Sequence, residues 1–487
     1  MIMITINKNI QSEILMTTME EIVPGDSLFR KIDKYIDFTF IYDKVKDLYC
    51  DNNGRPSIDP VVLFKIVFIQ ALDGLKSMRQ TCKKIKVDAE YRWFLGIPFG
   101  VDTPHFSTFS KNYERRFKDS DIFEEIFVEI VNQAIKYNLV DGTTFYTDST
   151  HKKANANKNK YNDEIVRSIK ERRKWLEEEI NEERIKQGRK PFEYKDEIEE
   201  KHIKVSTTDK ESGYYHRDNK EKGFMYLDHR TVDDKCNIIV DAYITKGNVH
   251  DTVPFIDRAE YIRHKFGFVI KKYGVDSGYL TLDIKKYFIE NNMDAYLDYY
   301  KKHDKEKLSN IIENNIFGVF GYRRYGTPDS RKEKSKYEYI KELDIYCEKE
   351  TGEVLEYKGL IDKNGYKKYE NTDKTKSVRR HIHEEWNEIF RENRLSKEGK
   401  DLYQKRKEHV ERSFADSKQN HGYRYAMYKG VKKNQHYTWL ICAAQNMKNI
   451  AIKNYNVGKN TLTLSSILNH FIKILKNIIK LNKKIYS

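Results

Sequence analysis

Between residues 142 and 299 the chain changes its hydrophobic period in an order that few folds can accommodate. GTTFYTDST at Gly142–Thr150 favours a strand ending at Asp148. Gly223–Val232 and Asn237–Thr245 read as a hairpin across Asp233-Asp234-Lys235. A helix follows at Val253–Lys265, with Asp251 placed to cap it. A strand at Val269–Val275 leads into Asp276, Thr281 caps a helix at Leu282–Asn291, and Ala295–Tyr299 reads as one more strand.

Three meandering strands followed by helix-separated strands predict an α/β fold: an RNase H-like mixed five-stranded sheet with helices on both faces. In such a sheet the ends of the first and fourth strands are neighbours. Asp148 and Asp276, 128 positions apart, are therefore expected side by side. Residues 140–300 and 401–455 form this domain, and the densely charged stretch 158–204 inside it reads as a projecting helical hairpin. Residues 301–400 read as a β-rich insertion. Residues 1–22 are a loosely held lead-in, and 459–487 hold an amphipathic helix that suits docking on protein better than a membrane surface.

Residues 23–135 read as an α-helical N-terminal domain. Its basic last member, from Thr103-Pro104 to Phe117, would expose Lys111, Arg115 and Arg116, as a helix-turn-helix DNA reader does. A plain helical bundle fits the same pattern.

The segment Glu408–Gly430 carries a third acid. Val410 and Phe414 make an apolar stripe that sets Glu411 at the core's edge, and Lys418 lies two turns further on. Arg412, Arg424 and three tyrosines surround it. Three carboxylates converging from Asp148, Asp276 and Glu411 form an oxygen-rich set suited to Mg2+ or Mn2+. Two such ions about 4 Å apart serve in-line displacement at phosphorus. The chain holds 90 Lys+Arg against 75 Asp+Glu, a net +15 that predicts a polyanionic partner. Five scattered cysteines without a CxxC pair, no expected secretory leader and no apolar run of membrane-spanning length point to a reducing cytoplasm, with association to the nucleoid.

DSTHKKANANKNK at Asp148–Lys160, LDHRTVD at Leu227–Asp233, GNVHD at Gly247–Asp251, GVDSGY at Gly274–Tyr279 and HVERSFADSKQNHGYRYAMYKG at His409–Gly430 resemble the DDE transposases of bacterial insertion sequences. GRPSIDPVVLFKIVFIQ at Gly54–Gln70, YRWFLG at Tyr91–Gly96 and HFSTFSKNYERRF at His105–Phe117 are similar to the InsH-type N-terminal domain of those enzymes. The resemblance implies metal-dependent cleavage and transfer of double-stranded DNA at terminal inverted repeats and target sites, with self-association on DNA. It implies Asp148, Asp276 and Glu411 as the acidic triad holding two divalent cations. Lys418, Arg412, Arg406, Tyr403, Arg424, Arg115, Arg116 and Lys111 would contact DNA. Related enzymes place a tyrosine and an arginine at set distances before the glutamate; Tyr403 and Arg406 here stand one position too early. Many relatives also carry a cysteine cluster near the residues that here read Glu370–Ser377. A decayed copy that binds ends without cutting, or a structure-selective nuclease on the same fold, are the alternatives.

Overall fold

The computed structural model describes residues 16–50, 57–217, 221–291, 317–319 and 336–457. The amphipathic C-terminal helix and the strand expected at Ala295–Tyr299 lie outside them. Thirteen strands are described: β1 Thr144–Lys153, β2 Tyr161–Ile169, β3 Ile198–Ser206, β4 Gly213–Tyr215, β5 Gly223–Asp233, β6 Ile239–Lys246, β7 Lys272–Gly274, β8 Phe317–Val319, β9 Tyr337–Ile340, β10 Ile345–Glu348, β11 Val354–Ile361, β12 Tyr366–Glu370 and β13 Ser377–His381.

Among the described residues the central sheet has six strands, where five were expected. β5 pairs antiparallel with β1 on one edge and with β4 and β6 on the other, while β7 and β8 follow β1 in parallel. The extra strand, β4, extends the sheet where β5 runs past the end of β6. β8 fills the outer place beside β7, although it falls in the stretch assigned to the insertion.

The N-terminal helices follow their sequence signals. Asp59 accepts from the amides of Val61 and Val62 ahead of Pro60, which starts Pro60–Leu72. Ser77 and Asp88 cap the next two helices, Met78–Ile85 and Ala89–Leu95. The basic element differs: Thr103-Pro104 do not start it. A helix over Ser107–Asn112 continues as a π-helical turn over Tyr113–Phe117, whose rings pack on Phe64 and Phe123. Part of the expected lead-in is anchored too, because Glu20 accepts from Trp93 Nε1 at 2.6 Å and pairs with Arg30.

The 158–204 stretch is corrected from a helical hairpin to a two-stranded ribbon, β2 paired with β3, with one helix, Lys174–Lys186, between. β2 is almost wholly exposed and β3 is covered only in part, so no buried face imposes a period of two on them. The helix does not project freely: Leu176 and Ile180 pack on Ile361 of the insertion.

The insertion is a five-stranded antiparallel sheet, β9 to β13, followed by a helix, Glu384–Leu395, that strand-like pieces in the sequence did not announce. Its β12–β13 turn is closed by polar groups. Asn371 donates to Glu353 at 2.6 Å, and Lys376 pairs with Glu348 at 2.7 Å and Glu353 at 2.8 Å.

The last described helix, residues 431–457, lies along the edge strand β6 and satisfies its backbone. The Asn446 amide bonds both the N–H and the C=O of Ile239 at 2.8 Å, and Gln435 bonds Ile244 N and Ala242 O. One hydrophobic core runs from the N-terminal helices through the central sheet to this helix.

Candidate active site

Strand β1 does not end at Asp148. Its pairing with the long β5 carries it on to Lys153, while its parallel pairing with β7 stops at Tyr146↔Gly274. Two residues beyond that pair, Asp148 and Asp276 stand abreast where the sheet opens between the two strands. Asp276 then accepts from the Ser277 amide at 2.6 Å and starts a 3-10 turn. Asp148 is 19% exposed in its side chain. Burial pushes its carboxyl up to about 6 against the pull of Arg406, and the charges of Asp276 and Asp251 raise it further.

Alternation along β1 turns Tyr146, Asp148, Thr150 and Lys152 to one face, and each meets a residue between 406 and 423. Tyr146 stacks on His409 with ring centroids 4.7 Å apart. Asp148 Oδ2 accepts from Arg406 Nη1 at 2.8 Å. Thr150 Oγ1 accepts from Lys418 Nζ at 2.6 Å. Lys152 Nζ lies 4.0 Å from the centre of the Tyr423 ring. This face fixes the helix carrying Glu411 against the strand carrying Asp148.

That helix is broken in its hydrogen-bonding pattern. Lys397–Arg406 is α-helical, Lys407–Glu411 is a π-helical turn, and Arg412–Asn420 is α-helical again. On a continuous α-helix, residues five apart would diverge by about 140°. The wider π turn stacks residue i+5 over residue i, so Arg406 Nη2 reaches Glu411 Oε1 at 2.9 Å. The extra residue in the spacing of Tyr403 and Arg406 is taken up there. Arg406 thus bridges Asp148 and Glu411 and is itself only 10% exposed.

From below, the buried Arg230 holds the same helix. It pairs with Asp228 at 2.9 Å and donates to Ser413 Oγ at 3.0 Å, Ser417 Oγ at 2.8 Å and Gln445 at 3.1 Å.

The other predicted residues divide. Tyr403 lies under two cations, with Arg394 4.2 Å and Arg406 5.6 Å from its ring centre. Lys418 and Arg424 are close enough for their charges to interact, and burial lowers the Lys418 ammonium from its ordinary value. Arg412 is exposed. Lys111 and Arg115 are exposed on the N-terminal domain, whereas Arg116 is half-buried over the Tyr49 ring at 4.5 Å. His229 is buried with Nε2 2.9 Å from Thr245 Oγ1, and burial lowers its imidazole to about 4. His250 is exposed and bonds Thr252.

Asp251 is the acid that sequence reasoning assigned wrongly. It caps no helix, since the following one begins at Phe255 behind Pro254; instead it accepts from Ser149 Oγ at 2.6 Å, beside Asp148. Its place in GNVHD, among the transposase-like motifs, was the available signal.

Asp148, Asp276, Glu411 and Asp251 offer only hard oxygen donors, the right chemistry for Mg2+ or Mn2+. Among the described residues, no three metal-ligating side chains are close enough together to hold an ion as they stand. Also among these residues, no helix is long and apolar enough to cross a membrane.

Two family models match the chain. A transposase domain (DUF772) covers residues 17–115, and a transposase DDE domain covers residues 364–451, including Glu411 but neither aspartate. A search of curated proteins and a search of solved structures found no match. Stretches similar to a transposase domain and to a transposase DDE domain thus flank, in the expected order, the mixed sheet bearing Asp148 and Asp276, and over these two stretches the chain is similar to the DDE transposases.

Proposed function

We propose that the chain binds the ends of its element and carries out metal-dependent DNA strand cleavage and transfer on an RNase H-like core, with Asp148, Asp276 and Glu411 as the metal-binding triad. The observation that carries this reading is the parallel register Tyr146↔Gly274, which sets two aspartates abreast while Arg406 ties Glu411 to the first. When bound, divalent cations would supply Lewis-acid activation of the attacking oxygen and charge stabilisation of the leaving one.

The chain's own residues bind and orient the substrate. Lys418, Arg424 and Arg412 offer cations to phosphates, and Arg394, Tyr403 and Arg406 offer a stacked cationic group. Lys111 and Arg115 supply further phosphate contacts from the N-terminal domain. A half-buried, desolvated Lys418 loses little hydration on contacting a phosphate. The polar closure of the β12–β13 turn speaks against the decayed-copy reading, because the insertion has its own means of closing without cysteines.

The test is Mn2+-dependent cleavage and joining of DNA carrying the inverted repeats that flank the gene. Asp148→Asn, Asp276→Asn and Glu411→Gln should each lower the rate more than about a hundredfold while the fold is kept. Unchanged activity in these variants would remove the assignment. Hydrolysis without any joined product would leave the nuclease reading instead.

A further inference from the structure

We propose that Arg406 is an internal counterion that keeps the acidic site closed to divalent cations until a DNA phosphate takes up its guanidinium. The inference rests on the reading of Asp148, Asp276 and Glu411 as metal ligands and adds a regulation to it.

Three observations converge on this side chain. First, it donates one N–H to Asp148 at 2.8 Å and another to Glu411 at 2.9 Å, so it occupies the space between two carboxylates that a bridging cation would need. Second, the acids held this way do not form a metal-binding cluster among the described residues. Third, Arg406 Nε is buried without a hydrogen-bond partner, so the guanidinium is not fully satisfied where it lies.

The exchange follows from charge. One guanidinium offsets one unit of the repulsion among the acids, whereas a divalent ion offsets two and binds all of them at shorter range. The obstacle is Arg406 itself, because a displaced cation left at low exposure without an anion is costly. A phosphodiester oxygen removes that cost by accepting the same pair of N–H groups in the bidentate geometry that arginine favours. Binding of DNA and of metal is therefore coupled, and the coupling is reciprocal. The π-helical turn is part of the device, since at their spacing of five residues it brings Arg406 over Glu411.

The experiment measures Mn2+ binding to the full chain by loss of the free-ion EPR signal, without DNA and then with a short duplex of arbitrary sequence, corrected for Mn2+ held by the duplex alone. Without DNA, Arg406→Gln should bind Mn2+ about tenfold more tightly than wild type, within the range usual for such couplings. Arg406→Lys, which keeps the charge, should stay near wild type. The duplex should tighten Mn2+ binding to wild type and leave Arg406→Gln unaffected. The proposal is overturned if Arg406→Gln binds no more tightly than wild type, or if the duplex leaves wild-type affinity unchanged. The second arm needs no variant, so it stands even where Arg406→Gln does not fold. Asp148→Asn and Asp276→Asn separate the two readings. If they lose Mn2+ while Arg406→Gln gains nothing, only the counterion role fails; if they bind as wild type does, the metal site itself is misassigned.

Discussion

Gly74 and Gly422 meet backbone against backbone, and through them the N-terminal helical domain abuts the end of the helix that carries Glu411. Both have positive φ, +58° and +64°. A Cβ on Gly74 would lie 2.7 Å from the carbonyl oxygen of Asn420, and one on Gly422 would lie 3.2 Å from that of Gly74. Next to them, the buried ring of His421 bonds Ala71 O through Nδ1 at 2.8 Å. The domain matched as a transposase domain and the DDE helix are therefore joined by a contact with no room for a side chain.

Gly74→Ala should then lower stability by about 1–3 kcal/mol from backbone strain alone, with the clash against Asn420 added. Because the clash acts at the joint, limited proteolysis should release the N-terminal domain faster in the variant than in wild type. Equal melting and equal proteolysis would show that the joint yields without cost.

The π-helical turn makes a different prediction. Deleting Glu408, which is exposed, should convert the turn to ordinary α-helix and keep Arg406 over Glu411, now four residues apart. The expected outcome is a folded protein whose Tm falls by no more than about 4 °C, with end-DNA binding retained. Inserting one alanine after Glu408 should turn Arg406 about 100° further from Glu411 and weaken end binding. Binding lost on deletion and kept on insertion would contradict the account of the turn.

Lys152 predicts a pH effect. Its ammonium is fully buried, Nζ has no hydrogen-bond partner, and burial lowers it from 10.5 to about 7. In the unfolded chain the group holds its proton up to the ordinary value, so between 7 and 10.5 the unfolded state binds more protons. Wild-type stability should therefore climb with pH across that window. Lys152→Met removes the buried amine and should gain about 1–4 kcal/mol at pH 6, with the advantage shrinking toward pH 10. Chemical denaturation across the range checks the slope. A constant difference between variant and wild type would mean that Lys152 does not titrate as its burial implies.

Much of the architecture was legible because it is written in local signals. Thr281 begins its helix as expected, and Asp59, Ser77 and Asp88 cap theirs through the same local chemistry. The β5–β6 hairpin and the strand and helix around Asp276 stand where the period of the residues put them. The β2–β3 ribbon was not legible, because β2 is exposed on both faces, β3 is covered only in part, and each finds its partner across a helix. Asp148 was expected to end its strand because aspartate usually ends one. The length of β5 overrules that preference and carries β1 seven residues past the Tyr146↔Gly274 pairing.

The sequence by itself determined which residues could act: three acids, the bases near them, and a strand and helix order that obliges the first and fourth strands to be neighbours. Only the tertiary structure decided what those residues do to one another. It set Asp251 beside Asp148, took up one surplus residue in a π-helical turn, and put Arg406 between two carboxylates. The reason is physical: caps and hydrophobic period are properties of a few consecutive residues, whereas a charge acquires its partner only when chain segments more than a hundred residues apart are packed together.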